Sequence, residues 1–346
     1  MILLDAIYIN QSGGKVLLEY FLKKIKDLGL ESDFFFLLDN RIEAAFLNEI
    51  NKNQAYKINA SEISRRSFYK KMSSDFTHIF CFANVPPPIK LKHKNVFVLF
   101  HNALIIENKN MNYNLKSRFI FFLKKLYIKN RELDTYKWVV QTKKMSELLS
   151  EKLNIQKQSI AIFPFYEENR FENINHREAK NNGEFLYIAD GVKQKNHQIL
   201  LDAWEMIFDN DNLPITLHLT VQNEFESLVN EINRLQKKGV SIVNHGRCNH
   251  EKIEELYKNC NFFIMPSLTE SFGLPLIEAA EAGCEIIAAD LEYVYEIVKP
   301  LAVFDPHNKQ DIANVITSAF LGCFENKTKI VVKNKIYDLI KLVTDV

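Results

Sequence analysis

No run of eighteen or more apolar residues occurs in this chain of 346 residues, so no segment reads as a bilayer-spanning helix. Cysteine is sparse: Cys81, Cys248, Cys260, Cys284 and Cys323 are scattered, odd in number and form no C-x-x-C. That pattern excludes a disulfide scaffold and fits reduced thiols in a cytoplasmic protein. His245, Cys248, His250 and Cys260 cluster in sequence, but their spacing matches no standard zinc ligand set, and no metal is expected. The G-x-G-x-x-G dinucleotide fingerprint is missing, and so are internal repeats and low-complexity tracts. No nucleic-acid-binding motif is present either, and the formal net charge is only +1, so nucleic acid is not an expected partner. The first ten residues contain Asp5 and no basic leader; they read as a buried strand, not a signal peptide.

The length suggests two domains, each large enough for its own core. Composition is that of an ordinary soluble protein, 47% apolar and 25% charged. The small net charge hides a division. Residues 1–182 hold 29 Lys and Arg against 19 Asp and Glu, while residues 183–346 hold 15 against 24. A basic first half points to an anionic partner for that half.

Short apolar runs alternate with helical patterns along the whole chain, which predicts parallel sheets of doubly wound type. In the first half the strand-like runs are Ile2–Ile9, Phe34–Leu38, Ile79–Phe82, Val96–Phe100, Trp138–Thr142 and Ile160–Pro164, with a first intervening helix over Ile42–Asn51. Asn10 to Gly14 reads as a turn ahead of a helix over Lys15–Leu28, a strand-turn-helix unit whose helix N-terminus suits phosphate. Pro86-Pro87-Pro88 reads as a rigid loop. From Asn108 to Arg131 there is no acidic residue, and Lys109, Lys116, Arg118, Lys124, Lys125, Lys129 and Arg131 interleave with aromatic and aliphatic residues. Such a helix either buries its apolar face in the core or lies on an anionic membrane surface. Tyr166 to Gly183 is polar and irregular and reads as the connection between domains. In the second half the strands are Phe185–Ala189, Ile215–Val221, Val240–Val243, Phe262–Met265 and Glu285–Ala289. Helices are expected over Gln198–Phe208, Glu224–Lys237, Glu251–Lys258 and Lys309–Leu321, with Asp290 to Pro306 as loop and short helix.

The most informative stretch is Ile264 to Ala282. An apolar strand stops at Pro266, a turn-prone segment runs to Gly273, and a helix begins around Leu274-Pro275 and stops at Gly283. The loop and helix start offer unpaired backbone N–H groups and the positive end of a helix dipole, worth roughly 0.3–1 kcal/mol per phosphate charge. Glu270 and Glu278 flank that anion site. Carboxylates repel phosphate but accept two hydrogen bonds from a vicinal diol. A ligand with phosphates in the middle and diols at each end is a nucleotide sugar.

Glu270-Ser-Phe-Gly-Leu-Pro-Leu-Ile-Glu278, with Pro-Ser before it and Glu-Ala-Ala after it, resembles the signature of the retaining family-4 glycosyltransferases of the GT-B fold. The resemblance covers about residues 185–310 well and the first half loosely. It implies two Rossmann-like domains, here 1–170 on the acceptor side and 183–325 for the nucleotide sugar, with a tail at 326–346 packing back on the first. It also implies site residues. Ser271, Phe272, Gly273 and Leu274 would meet the diphosphate, Glu278 the ribose diol, and Glu270 the donor-sugar hydroxyls. Lys195, in the segment Asp190–His197, matches the family's diphosphate lysine; the arginine expected earlier in that loop is absent, and Lys193 is its candidate replacement. Gly246 and Arg247 fall where the base is held, Gly13 and Gly14 match a glycine-containing loop near the diphosphate, and His101 matches a histidine beside the donor sugar.

The reading implied is a cytoplasmic hexosyltransferase, working without cofactor or metal, at the inner face of the membrane if the basic segment 109–131 docks there. It would take a nucleotide-sugar donor and a glycan or lipid-linked acceptor, as in bacterial surface polysaccharide or lipopolysaccharide synthesis. Its rivals are a sugar-nucleotide epimerase or hydrolase of the same fold, an inactive glycosyltransferase-like partner subunit, and a metal-dependent transferase using Asp209-Asn-Asp211.

Overall fold

The computed structural model describes residues 1–10, 12–42, 54–92, 94–107, 115–171, 181–211 and 213–345. The helix expected over Ile42–Asn51, the first residues of the basic segment (Lys109 among them) and the middle of the 166–183 connection lie largely or wholly outside these. The chain forms two compact units, Met1–Glu168 with Lys333–Val346, and Asn169–Val332.

In the first unit the strands are β1 (Ile2–Ala6), β2 (Phe34–Asp39), β3 (Ala55–Ile58), β4 (His78–Cys81), β5 (Asn95–Leu99), β6 (Lys137–Val140) and β7 (Ile160–Ile162). They pair in parallel in the order β3-β2-β1-β4-β5-β6-β7, with Leu3 opposite Phe35 on one side and Ile79 on the other. Helices α1 (Ser12–Asp27), α2 (Glu62–Met72), α3 (Leu115–Arg131) and α4 (Lys143–Leu153) belong to this unit. Ser61 caps α2 by accepting from the Ser64 N–H, and Thr142 caps α4 by accepting from the Met145 N–H. Phe21 of α1 packs on Phe34, Phe80 and Phe82. Trp138, Tyr69 and Phe76 lie in a large cluster with Phe100 and Tyr136.

A charged group sits inside this core. Arg65 of α2 donates from Nε to Asp5 Oδ2 at 2.8 Å, and Tyr69 Oη donates to the same oxygen at 2.7 Å. Arg65 also donates to the carbonyls of Pro86 (2.8 Å) and Val85 (3.2 Å), so it pins the proline loop to the end of β1. Burial pushes the nearby Cys81 thiol up to about 12, which keeps it protonated.

The second unit holds β8 (Asn181–Tyr187), β9 (Thr216–Leu219), β10 (Ile242–Asn244), β11 (Cys260–Met265), β12 (Glu285–Ala289) and β14 (Ala302–Phe304), all parallel, in the order β10-β9-β8-β11-β12-β14. A two-residue strand, β13 (Val298–Lys299), pairs antiparallel with β15 (Lys329–Ile330). The helices are α5 (His197–Asn210), α6 (Glu226–Lys238), α7 (His250–Asn259), α8 (Leu274–Glu281), α9 (Glu292–Ile297) and α10 (Lys309–Phe320). The last helix, α11 (Ile336–Thr344), returns to the first unit: Asn334 bonds Tyr20 Oη and the Tyr166 carbonyl, and the Lys335 N–H bonds the Pro164 carbonyl.

Both sheets are Rossmann-like, and each reverses its strand order once, at β1/β4 and at β8/β11. Several expectations are corrected. Strand β1 ends at Ala6, because the Ile9 N–H turns back to the Ala6 carbonyl. Helix α1 begins at Ser12, so Gly13 and Gly14 lie in its first turn instead of in a preceding loop. Strands β3 and β14, of four and three residues, fall where no strand was expected: β3 includes the polar Lys57, and β14 lies in the apolar run 301–304 inside the stretch read as loop and short helix. Helix α3 is not a core helix: of its side chains Ile128 alone is buried.

Candidate functional site

In a doubly wound sheet ligands gather beyond the carboxyl ends of the strands where the order reverses. In the second unit that point lies between the loops after β8 and β11, the two loops that carry Lys195 and Glu270. They are joined to each other. The Leu268 N–H donates to the Gln194 carbonyl at 2.8 Å. Asn196 adopts a left-handed φ of 58°, which Asn tolerates, and its amide donates to the carbonyls of Pro266 (3.1 Å) and Pro306 (2.8 Å). Below them Tyr187 Oη donates to the Lys195 carbonyl at 2.8 Å and lies 2.9 Å from Ser267 Oγ. Its one proton goes to the carbonyl, so Ser267 is the donor to Tyr187. Tyr293 Oη donates to the Ser267 carbonyl at 2.8 Å. Burial raises both phenols well above their ordinary value, so they remain donors. The loop after β8 also needs Gly191, since a Cβ there would sit 2.5 Å from Phe225 Cγ.

On this framework Lys195 Nζ donates to Glu270 Oε1 at 2.6 Å, with both side chains mostly buried. The Glu270 loop ends at Gly273, whose φ of +90° is a left-handed conformation that favours glycine. Gly273 caps α8 without a side-chain bond, and Pro275 stands in the first turn. The amides of that turn are therefore not covered by a capping side chain. Ser271 is partly exposed, whereas Phe272 is buried.

Glu278, one turn into α8, is held from two sides. Arg170 Nη1 donates to its Oε1 at 2.8 Å, and Tyr257 Oη donates to its Oε2 at 3.1 Å. Arg170 also donates through Nη2 to His250 Nδ1 at the start of α7 and lies over the Phe171 ring. Neither Arg170 nor Tyr257 was singled out in the sequence. Each is far along the chain from Glu278, and no local pattern marks it.

The third loop of this edge follows β10. Asn244 clamps it by accepting from the Val221 N–H and donating to the Val221 carbonyl, both at 2.9 Å. Gly246 takes a φ of +66° with open space around it. Arg247 is exposed, 3.8 Å from Glu224, and Lys193 is exposed at the start of the turn that carries Lys195. Beside this loop His218 bridges Glu184 (2.5 Å) and His245 (3.0 Å). Among the described residues no group of three or more His, Cys, Asp or Glu side chains is arranged to hold a metal ion. Asp209 lies in the last turn of α5, paired with Lys238 at 2.7 Å. Because α5 leads away from the carboxyl end of β8, its last turn lies towards the opposite edge of the sheet.

In the first unit the structure brings His101 and Gly14 together. His101 follows β5, and a Cβ on Gly14 would lie 3.6 Å from its Nε2. Asn84, at a left-handed φ of 67°, accepts from the His101 N–H at 2.6 Å and donates from Nδ2 to His101 Nε2 at 3.2 Å. The imidazole proton is then on Nδ1, which is buried without a hydrogen-bond partner among the described residues. Burial lowers the ring to about 4, so it is neutral at pH 7. Gly13 is exposed at the start of α1.

Residues 168–334 match the family model of Glycosyl transferases group 1. A serotype-specific mannosyltransferase of Escherichia coli is 26% identical over 160 residues, 44% of this chain and 19% of that protein. The chain thus aligns with about a fifth of that relative's length. Among solved structures, a lipopolysaccharide outer core galactosyltransferase in its apo form gives a TM-score of 0.63 at 14% identity, over 99% of this chain and 94% of that one. An Anabaena protein in complex with UDP gives 0.66 at 14% identity, over 93% and 90%. The unit that positions Lys195, Glu270 and Glu278 is thus the part of the chain that matches the glycosyl transferases group 1 model, within a chain of GT-B fold.

Proposed function

We propose that this chain transfers a sugar from a nucleotide-sugar donor to a glycan or lipid-linked acceptor, with retention of anomeric configuration and without a bound metal. The observation that carries the reading is the arrangement at the β8/β11 edge. A helix start with uncovered amides lies between two carboxylates, each already paired with a cation, Lys195 on Glu270 and Arg170 on Glu278.

In this reading the donor diphosphate takes Lys195 and the amides of Gly273 and Leu274, and steadying the charge that develops there drives departure of the nucleotide. Lys195 then turns from Glu270 to phosphate, and Glu270 is released to accept from the donor-sugar hydroxyls. Glu278 takes the ribose diol, with Arg170 and Tyr257 fixing its direction. The base falls to the loop of Gly246 and Arg247. Gly13, Gly14 and His101 enter through the family resemblance, which sets them near the diphosphate and the donor sugar. Lys193 stands close enough in sequence to Lys195 to add a second cation to the phosphates. The Anabaena relative's complex with UDP and the polysaccharide role in the galactosyltransferase's name support a uridine nucleotide and a surface-polysaccharide acceptor. A cytoplasmic site of action fits the scattered free thiols.

Thermal unfolding against a panel of nucleotide sugars tests donor binding. A donor at 100 times its Kd adds about 2.7 kcal/mol, a clear upward shift. The stabilising donor is then incubated with candidate acceptors in chelator, and the anomeric coupling of the product is read by NMR. Donor consumed equally without acceptor would replace transfer with hydrolysis or epimerisation, and loss of activity in chelator would overturn metal independence.

A further inference from the structure

Helix α3 presents an apolar stripe on the side away from the protein it belongs to. Leu115, Phe119, Phe122 and Leu126 recur at helical spacing and fall within about 60° of arc. They are 83%, 61%, 58% and 48% exposed. Leu123 beside them is exposed as well. The packed side of the helix is elsewhere: Ile128 is buried, Phe121 and Ser117 are partly buried, and these lie roughly 150° round from the stripe. Tyr127 ties the helix to α2 by donating to Glu62. The stripe is thus not a core face left incomplete. It is a second apolar face, and a contiguous exposed patch of this kind marks an interaction surface.

The charges around it select the occupant. Helix α3 holds six basic residues and no acidic one. Arg118, Lys125 and Lys129 border the stripe on one side, and Lys116 lies beyond Leu123 on the other. A second copy docking by two-fold symmetry would set these like charges against one another. An anionic bilayer surface complements them, taking Phe and Leu into the acyl boundary and the basic rim onto headgroups. At 17 residues, with six charges, α3 is too short and too charged to cross a membrane.

We propose that α3 seats the first unit on an anionic lipid surface, with Leu115, Phe119, Phe122 and Leu126 as the inserted edge. This assignment stands on α3 alone and does not depend on glycosyl transfer.

Flotation of the full chain with vesicles tests it. Strong binding is expected to an equal mixture of phosphatidylcholine and phosphatidylglycerol, weak binding to phosphatidylcholine alone, and weakening as salt rises. Replacing Phe119→Ser together with Phe122→Ser should lower the partition coefficient about tenfold or more. Arg118→Gln with Lys129→Gln should lower it about tenfold or more on the anionic vesicles alone. All four side chains point outward, so the thermal midpoint and any stabilisation by nucleotide sugar should be unchanged in both variants. The proposal is overturned if the folded wild type stays off anionic vesicles, or if neither variant weakens binding. Self-association in the ultracentrifuge that the Phe variant abolishes, without vesicle binding, would overturn it in favour of a dimer face.

Discussion

Arg170 and Glu278, 108 positions apart, meet through a single charge-assisted hydrogen bond of 2.8 Å, with Tyr257 on the carboxylate's other oxygen. Both oxygens of Glu278 are therefore oriented before any ligand arrives. Each has a second lone-pair direction left for a diol.

Glu278→Ala should lose charge-assisted bonds to the ribose worth roughly 1.5–3 kcal/mol, about 10- to 150-fold in kcat/KM. Arg170→Ala should cost less and show up as a raised KM. If Arg170 acts through Glu278, the double variant is no worse than Glu278→Ala. Additive losses would give Arg170 a separate role.

Lys195 and Glu270 make opposite predictions for a free nucleoside diphosphate. Lys195→Gln should weaken its binding, by about tenfold or more for one lost charged contact. Glu270→Gln removes the carboxylate that competes for Lys195, so the bare nucleotide should bind more tightly while sugar transfer falls. Calorimetry with the nucleotide, set beside kinetics with the donor, separates the two. Weaker nucleotide binding in both variants would refute the exchange of partners.

Two buried histidines should contribute to the loss of stability in acid. Burial lowers His101 to about 4 and His197 to about 3, against an ordinary 6.5. As pH falls below about 6.5 the unfolded chain takes up these protons before the folded one does, so stability is lost on the way down and is complete above that value. Each group contributes a slope of about 1.4 kcal/mol per pH unit in that window. Urea unfolding should show it, and His197→Phe should remove one histidine's share, since both ring nitrogens of His197 are buried without partners among the described residues and its ring already packs on Tyr187.

Gly273→Ala should destabilise by about 1–3 kcal/mol, because its φ of +90° strains any side chain and the new Cβ would sit 3.3 Å from Leu276 Cδ1. The first turn of α8 must shift to relieve this, so KM for the donor should rise more than the thermal midpoint falls. An unchanged KM would argue against phosphate contacts at that turn.

In the first unit, Arg65→Leu leaves the Asp5 carboxylate buried with Tyr69 as its remaining close donor, a loss of about 3–5 kcal/mol. Asp5→Leu added to it should recover part of that loss, measured by denaturant unfolding.

What could be read in advance follows from range. Strand β11, the loop and α8 are contiguous and strongly patterned, and they lie where Phe262 to Gly283 predicted. The same holds for the alternation that produced two parallel sheets. Contacts between distant segments left no trace: Arg170 on Glu278, Arg65 on Asp5, and the Leu268–Gln194 link between loops. Short edge elements were also invisible. The four residues of β3 are half exposed, and pairing with β2 defines them more than composition does. Helix α3 illustrates a further limit. Its periodicity announces an apolar face, but the pattern cannot say which side meets the rest of the fold.

The return of Lys333–Val346 to the first unit means that the polypeptide passes between the two units twice. The second unit is an uninterrupted piece, Asn169–Val332, and could be excised as one. The first is split. Cutting the chain after Glu168 would strip away the buried side chains of Leu339, Ile340 and Val343 and the bonds from Asn334 and Lys335. A nonsense change between codons 334 and 339 should therefore harm the half of the protein made first, although that half is already synthesised.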